Sequence, residues 1–420
     1  MKSGRIHQAI YLLAAALVLG TWPASAAIRV QCPGDTNGDS VIDTPDPQHP
    51  NARCMHLAAG DGFVTMADGH LQYIFGFANV TGVLEADTMK TGMLAANTPA
   101  PTITVDEGDE FYLNLSNVGM IRRPDLFDPH SVHWHGFPDA SAIFDGVPDS
   151  SAVINMGSTF TYYYNVADPG TYMYHCHVEA TEHMQMGMLG NLYVRPAQDG
   201  TALGTCLAGP CTKFAYNDGD GSTGYDRDAA IQMTSFDSVF HDEHLAVQPL
   251  PFYYMKDDYA MLNGRGYPDT VNPSPLPVPV DENLELVNAN EVSPGGIQSQ
   301  PVNALISAAA GERVLLRLSN LSVTKFFTLG AAGVPMKVVG WNARLLRGPD
   351  PDGAGPLKGK DLYYDTTSVT LGGGESADVM LEIPATATPG TKYFLYTTNL
   401  NYLSNREDDL GGMMTEIVVI

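Results

Sequence analysis

Short apolar and polar alternations dominate the chain, and turn residues break them up. From about Gly62 to Pro196 the β-type runs cover 71–77, 102–105, 111–115, 131–134, 160–165, 172–175 and 191–194. From about Ala229 to the end they return at 313–318, 326–329, 336–339, 368–371, 378–383, 392–396 and 414–419. Period-2 runs of this length, separated by Gly, Pro, Asn and Asp, predict antiparallel sandwiches or barrels rather than helical bundles. The two regions echo each other. The stretch from Thr104 to Asn117 and the stretch from Ser307 to Asn320 both pass an acidic turn, enter a strand and end in Ser-Asn. Two related β-domains in tandem follow.

The intervening segments read differently. Residues 27–62 are rich in Asp, Pro and Gly and predict an irregular N-terminal extension. Residues 197–228 predict a linker or long surface loop. Residues 268–280 are Pro-rich and predict an extended segment. Residues 1–26 have the form of a secretory leader: Lys2 and Arg5, then an apolar run over 10–19, then Ala24-Ser25-Ala26. The apolar run is shorter than the ~20 residues a span needs, and no later stretch is long and apolar enough. The expected organisation is a leader (1–26), an extension (27–62), a first domain (63–196), a linker (197–228) and a second domain (229–420). The protein is expected outside the cytoplasm, secreted or periplasmic.

Charge narrows the partners. The formal net charge is -25, from 47 acidic against 22 basic residues. A chain of that sign cannot neutralise a run of phosphates, so nucleic acid is excluded as a partner. Anionic membrane surfaces are disfavoured too, and small cations are favoured. Export permits disulfides. Cys32 with Cys54 and Cys206 with Cys211 are the simplest pairs, which leaves Cys176 alone.

The neighbours of Cys176 supply its reason. Six of the twelve histidines fall in two clusters. One is His130-Ser-Val-His133-Trp-His135-Gly136. The other is His175-Cys176-His177, followed by His183 and Met188. Successive strand side chains face opposite ways. His133 and His135 therefore share a face, His175 and His177 share a face, and Cys176 points away from its two neighbours. A blue copper site takes one thiolate, two imidazoles and a weak axial thioether. Cys176, His183, Met188 and His130 supply that set. A closed zinc site needs neither the thioether at that spacing nor the alternating imidazoles.

These clusters, with Asp145-Gly146-Val147-Pro148 and Gly170-Thr171-Tyr172-Met173-Tyr174-His175, resemble the multicopper oxidase and two-domain laccase-like cupredoxin family. The resemblance implies an all-β fold of two tandem cupredoxin-like Greek-key sandwiches. It implies a copper oxidoreductase with His130, Cys176, His183 and Met188 on a type 1 copper. His133, His135, His175 and His177 would hold type 2 and type 3 coppers. Electrons would enter from a phenolic or metal-ion substrate at Cys176, pass through His175 and His177, and reach O2. Two departures matter. His183 follows Cys176 by two residues more than the family loop allows. The second domain, with Lys325-Phe-Phe-Thr-Leu329 where histidines would sit, supplies none for a cluster. His241 and His244, or a homo-oligomer such as a trimer, would have to complete it. A non-enzymatic type 1 electron carrier is the alternative, and nitrite reduction a third reading.

Three weaker signals remain. Asp35, Asn37, Asp39, Val41, Asp43 and Asp46 have the spacing of a calcium loop, with Ser40 where Gly is usual. Met173, Met184, Met186 and Met188 crowd the copper loop, as a metal dock or as soft packing. Asp145 and Glu182 are candidate proton relays or plain turn carboxylates.

Overall fold

The computed structural model describes residues 31–277, 279, 298–348 and 359–420. The leader at 1–26 and part of the Pro-rich stretch lie outside the described residues. Eight strands build a first sandwich: β1 (Ala52–Thr65), β2 (Leu71–Asn79), β3 (Ala100–Asp106), β4 (Glu110–Gly119), β5 (His133–His135), β6 (Thr159–Asn165), β7 (Gly170–His175) and β8 (Leu189–Arg195). They form two four-stranded sheets, ordered β2-β1-β4-β6 and β3-β8-β7-β5. Leu57, Phe75, Phe77, Leu113, Trp134, Tyr162, Tyr172, Tyr174 and Leu192 fill the space between the sheets. The strong alternation of β4, β7 and β8 comes from this two-sided arrangement.

The first strand was hidden in the expected extension. The sequence of β1 is Ala- and Gly-rich, and most of it is buried. A Cβ at Gly60 would come within 2.7 Å of the Val118 side chain, so the close approach of β4 requires glycine there. β1 also runs parallel to β4, a long-range pairing that no local pattern announces. The irregular extension is therefore the shorter stretch before Ala52, tied to β1 by the Cys32–Cys54 disulfide.

The stretch at 197–228 is more than a linker. It carries a ribbon of β9 (Leu203–Cys206) and β10 (Gly209–Cys211), closed by the Cys206–Cys211 disulfide. It also sends Phe214, Tyr216 and Tyr225 into the interior. Both expected disulfides are present, and Cys176 is free and buried.

Twelve strands make the second sandwich: β11 (Arg227–Phe236), β12 (Tyr259–Leu262), β13 (Ile306–Ala308), β14 (Arg313–Asn320), β15 (Phe327–Ala331), β16 (Met336–Trp341), β17 (Arg344–Leu345), β18 (Tyr364–Thr366), β19 (Ser368–Leu371), β20 (Glu375–Glu382), β21 (Lys392–Thr397) and β22 (Met414–Val419). One sheet runs β12-β11-β14-β20-β16-β17, with β18 on β16; the other runs β13-β22-β21-β15-β19. The sequence echo has a topological counterpart. The parallel pairs β1/β4 and β3/β8 recur as β11/β14 and β13/β22. The all-β expectation of two tandem sandwiches stands. No helix among the described residues is long and apolar enough to cross a membrane.

The two sandwiches meet where β7 lies against β14 and β20. A buried polar knot joins them. Asp378 of β20 accepts from the hydroxyls of Thr171 (2.6 Å) and Tyr216 (2.5 Å), and Arg317 of β14 stands 3.9 Å away. The Arg317 guanidinium lies over the Tyr193 ring and also reaches Asp228. Burial pushes the Asp378 carboxyl up, with Arg317 and the two hydroxyls opposing. Removing one member of such a set strands the rest without a partner. Asp378→Ala should cost about 3 kcal/mol of stability, measured as a lower denaturant midpoint for the copper-free protein with its β-sheet signature retained.

Candidate metal centres

The pairing of β5 with β7 sets the geometry. His133 pairs with His175, Trp134 with Tyr174 and His135 with Met173. Alternation then sorts the side chains. Trp134, Tyr172 and Tyr174 enter the first core, where Trp134 stacks on Tyr164 at 3.9 Å. Thr171, Met173 and His175 face the second sandwich; Thr171 meets Asp378 and Met173 packs with Leu321. At the end of β7 the next residue, Cys176, turns back into the core. One segment thus serves two centres on opposite faces.

The first centre gathers His130, Cys176 and His183, whose donor atoms lie within 4.8 Å of one another. The Cys176 Sγ is 3.2 Å from His183 Nδ1 and 3.9 Å from His130 Nδ1. Metal–sulfur and metal–nitrogen bonds of about 2.3 and 2.0 Å would place such donors about 3.5–3.8 Å apart, so one small ion fits among them. His130 is fixed by a pair of backbone bonds with Ile154. The Ser131 N–H points at Cys176 Sγ from 3.5 Å. Met188 is fully buried beside them, its carbonyl accepting from the Cys176 N–H and its own N–H donating to the His183 carbonyl.

The two extra residues in this loop are absorbed by a helical turn, Ala180–Gln185, which carries His183 back to the thiol. Glu179 enters that turn with φ +45°, and Gly187 leaves it with φ +115°. A Cβ at Gly187 would lie 2.8 Å from the Phe75 carbonyl, so glycine lets the loop rest on β2. Burial lowers the pKa of His183 to about 4, holds that of His130 well below its ordinary value, and pushes the Cys176 thiol up to about 12. The imidazoles are therefore neutral, as ligands must be, and a thiolate there calls for a cation beside it.

The second centre brings His133, His135 and His175 together, again with donor atoms within 4.8 Å. His135 Nδ1 is 3.2 Å from His175 Nε2. His177 stacks on His175 at 5.6 Å and meets His133 edge-on at 5.1 Å, but stands outside that close triad. The remaining nitrogens are held by backbone. His175 Nδ1 donates to the Cys176 carbonyl at 2.7 Å, and His133 Nδ1 to the Asp145 carbonyl at 2.6 Å. Asp145 thus acts on this centre through its carbonyl, with its carboxylate also 3.4 Å from the same nitrogen. Burial lowers the pKa of all three rings, that of His175 to about 3.

Other expected residues fall elsewhere. His241 and His244 do not join the second centre. His241 sits under the loop that carries His183, between the carbonyls of Tyr73 and Gln185, and His244 Nε2 lies 3.0 Å from Glu182. Glu182 is buried in that contact. Met173, Met186 and Met188 are buried in apolar clusters, which favours soft packing over a surface dock. The calcium-type loop does not gather its carboxylates. Asp35 accepts from the N–H groups of Asn37, Gly38 and Ser40; Asp39 takes Val41, Asp43 takes Thr36, and Asp46 takes Gln48. These bonds bend the loop into a series of short turns. Sequence reasoning missed Asp128, whose Oδ2 is 3.9 Å from His183 Nε2, and the backbone groups of Asp145 and Gly374 that flank the second centre.

Comparison with known proteins agrees with the copper reading. Residues 80–199 match the family model described as multicopper oxidase. Multicopper oxidase MmcO of Mycobacterium tuberculosis is 41% identical over 80 residues, which is 19% of this chain and 14% of that protein. Multicopper oxidase MCE of Talaromyces pinophilus is 29% identical over 103 residues, or 24% and 16%. The matches thus span about one-seventh of the length of these curated relatives. The blue copper oxidase from Nitrosomonas europaea shares the fold, with a TM-score of 0.58 and 21% identity over 87% of this chain and 85% of that one.

The buried imidazoles make the copper-free protein acid-sensitive. His56, His183 and His241 have pKa values lowered to about 4 by burial, against about 6.5 in the unfolded chain. Above pH 6.5 both states are neutral and these groups add no pH dependence. Below it the unfolded chain takes up protons that the folded chain refuses, so stability falls down to about pH 4. The melting temperature of the copper-free protein should drop steadily from pH 7 to pH 4 for this reason; a flat profile would contradict the burial of these rings.

Proposed function

We propose that this chain, whose residues 80–199 match the multicopper oxidase domain, is an exported copper oxidoreductase. The observation that carries this reading is the Cys176 segment: its thiol belongs to a donor set of type 1 composition, while His175 beside it belongs to a second, all-imidazole set. Copper at Cys176 would supply one-electron redox chemistry. The thiol and His175 are adjacent in the chain, and the His175 Nδ1–H bond to the Cys176 carbonyl closes a short through-bond path between the centres. Tight burial of Cys176, His130 and His183 keeps water from the first centre and limits reorganisation when its charge changes.

The electron donor is a small reducing molecule, a phenol or a low-valent metal ion, and the acidic surface favours the cation. It would approach His183 from the side of Asp128 and the exposed Phe127. Dioxygen is the acceptor at the imidazole centre. A second reading, a type 1 electron carrier without oxidase activity, is favoured by one observation. In the second sandwich β15 and β21 carry no histidine, and their pair facing away from the core is Gly330 and Tyr396.

Oxygen uptake with a phenolic donor tests the reading. The copper-loaded protein should turn over oxygen and absorb strongly in the visible. Cys176→Ser should lose both, with uptake falling to background and the circular dichroism spectrum unchanged. Visible absorption without uptake would leave the carrier reading in place.

A further inference from the structure

Multicopper oxidase character implies a coupled cluster of several coppers, and the residues around the second centre do not fit one. Four imidazoles face it, from His133, His135, His175 and His177. The second sandwich has no imidazoles to add: β15 pairs with β21 as β5 pairs with β7, neither strand carries a histidine, and their pair facing away from the core is Gly330 and Tyr396. No histidine follows His244 in the chain. The chain's own second sandwich already covers part of this face, while His133, His135 and His177 keep some exposure. Thr171 is bonded to Asp378, Met173 is packed on Leu321, and the turn from β19 to β20 lies over His135.

We propose that His133, His135 and His175 form a mononuclear three-imidazole copper site completed within one chain, with Gly374 of the second sandwich as the positioning residue for His135. The proposal rests on the copper reading above and replaces its coupled cluster by a single ion.

Three observations converge. Metal–nitrogen bonds of about 2.0–2.1 Å at angles near 90–110° put neighbouring ligand nitrogens about 2.9–3.4 Å apart. His135 Nδ1 and His175 Nε2 are separated by 3.2 Å, a spacing that suits two ligands of one ion. Second, each ring is anchored through backbone. His175 Nδ1 donates to Cys176 and His133 Nδ1 to Asp145, and the Gly374 backbone bonds His135. Anchors of this kind fix ring orientation and leave the opposite nitrogen free for metal. Third, the cover over His135 is built for closeness. Gly374 adopts φ +88°, and a Cβ on it would come within 2.8 Å of His135 Nε2. At its neighbour Gly373 a Cβ would strike the Ser322 carbonyl at 2.4 Å. Glycine at both positions lets the β19–β20 turn press onto the ring.

The second sandwich thus contributes a backbone anchor where a cluster would need imidazoles. His177 stands at the side of the site, stacked on His175, and leaves it open to one small ligand rather than a second metal.

The test is copper stoichiometry with spin counting. The full chain is loaded with excess Cu(II), freed of loose metal, and measured for copper per chain and for the fraction visible by electron paramagnetic resonance. Two coppers per chain, both fully visible, are expected, at concentrations where the protein sediments as a monomer as well as higher ones. His135→Ala should reduce the count to one while the intense visible absorption stays. Gly374→Val, which leaves all ligands in place, should also weaken the second copper at least tenfold and spare the first. Three or more coppers with part of them magnetically silent would overturn the proposal, as would a wild-type count of one, or a second copper lost on dilution to monomer. Loss of the visible band with the second copper retained would instead overturn the type 1 assignment and leave this site standing.

Discussion

The organising constraint is the alternation of side chains where β7 ends. A pleated strand must send neighbours to opposite faces, so His175 and Cys176 cannot serve the same centre. The cysteine goes into the core of the first sandwich and the histidine to the boundary with the second. Everything around the two centres follows from keeping that segment fixed. Trp134 stacked on Tyr164 and Tyr174 bonded to the Pro101 carbonyl hold the strand from inside. Thr171, bonded to Asp378, holds it from outside. A slip of one residue would swap the faces and destroy both donor sets together.

Much of this was legible in the chain, and for local reasons. The ligands announce themselves because soft and imidazole donors cluster at spacings that the strand period makes meaningful. The disulfides were legible because their partners are close in sequence. What stayed hidden depends on distant backbone. β1 was missed because a strand buried on both faces shows no alternation, and because its parallel partner β4 lies far along the chain. The anchors of the second centre are main-chain groups of Asp145 and Gly374, and a carbonyl carries no sequence signal. Gly374 was visible only as one glycine among three in a row.

The loop from Cys176 to His183 shows how an altered length can keep two candidate donors together. Two extra residues between Cys176 and His183 would push the imidazole past the thiol if the chain stayed extended. Coiling them into Ala180–Gln185 shortens the rise from over 3 Å to about 1.5 Å per residue, so the additional length is taken up along the helix. Glu179 in a left-handed conformation and the glycine at 187 make the entry and exit sharp enough. His241 then braces the turn from the second sandwich's side, bonded to the carbonyls of Gln185 and Tyr73.

That brace shows what the second sandwich has become. It repeats the topology of the first, yet its β15/β21 pair carries no histidine where β5/β7 carries three. Its contributions are instead structural, and they reach both centres. His241 and His244 press on the loop that carries His183 from beneath, the Arg317–Asp378 knot fixes the plane of β7, and the turn at Gly374 closes over His135. A domain that donates ligands must present exposed, correctly aimed side chains, whereas one that donates anchors needs only backbone in the right place. The second task is satisfied by glycines and carbonyls, so the sandwich can lose every ligand of its own and still govern the geometry of those that remain.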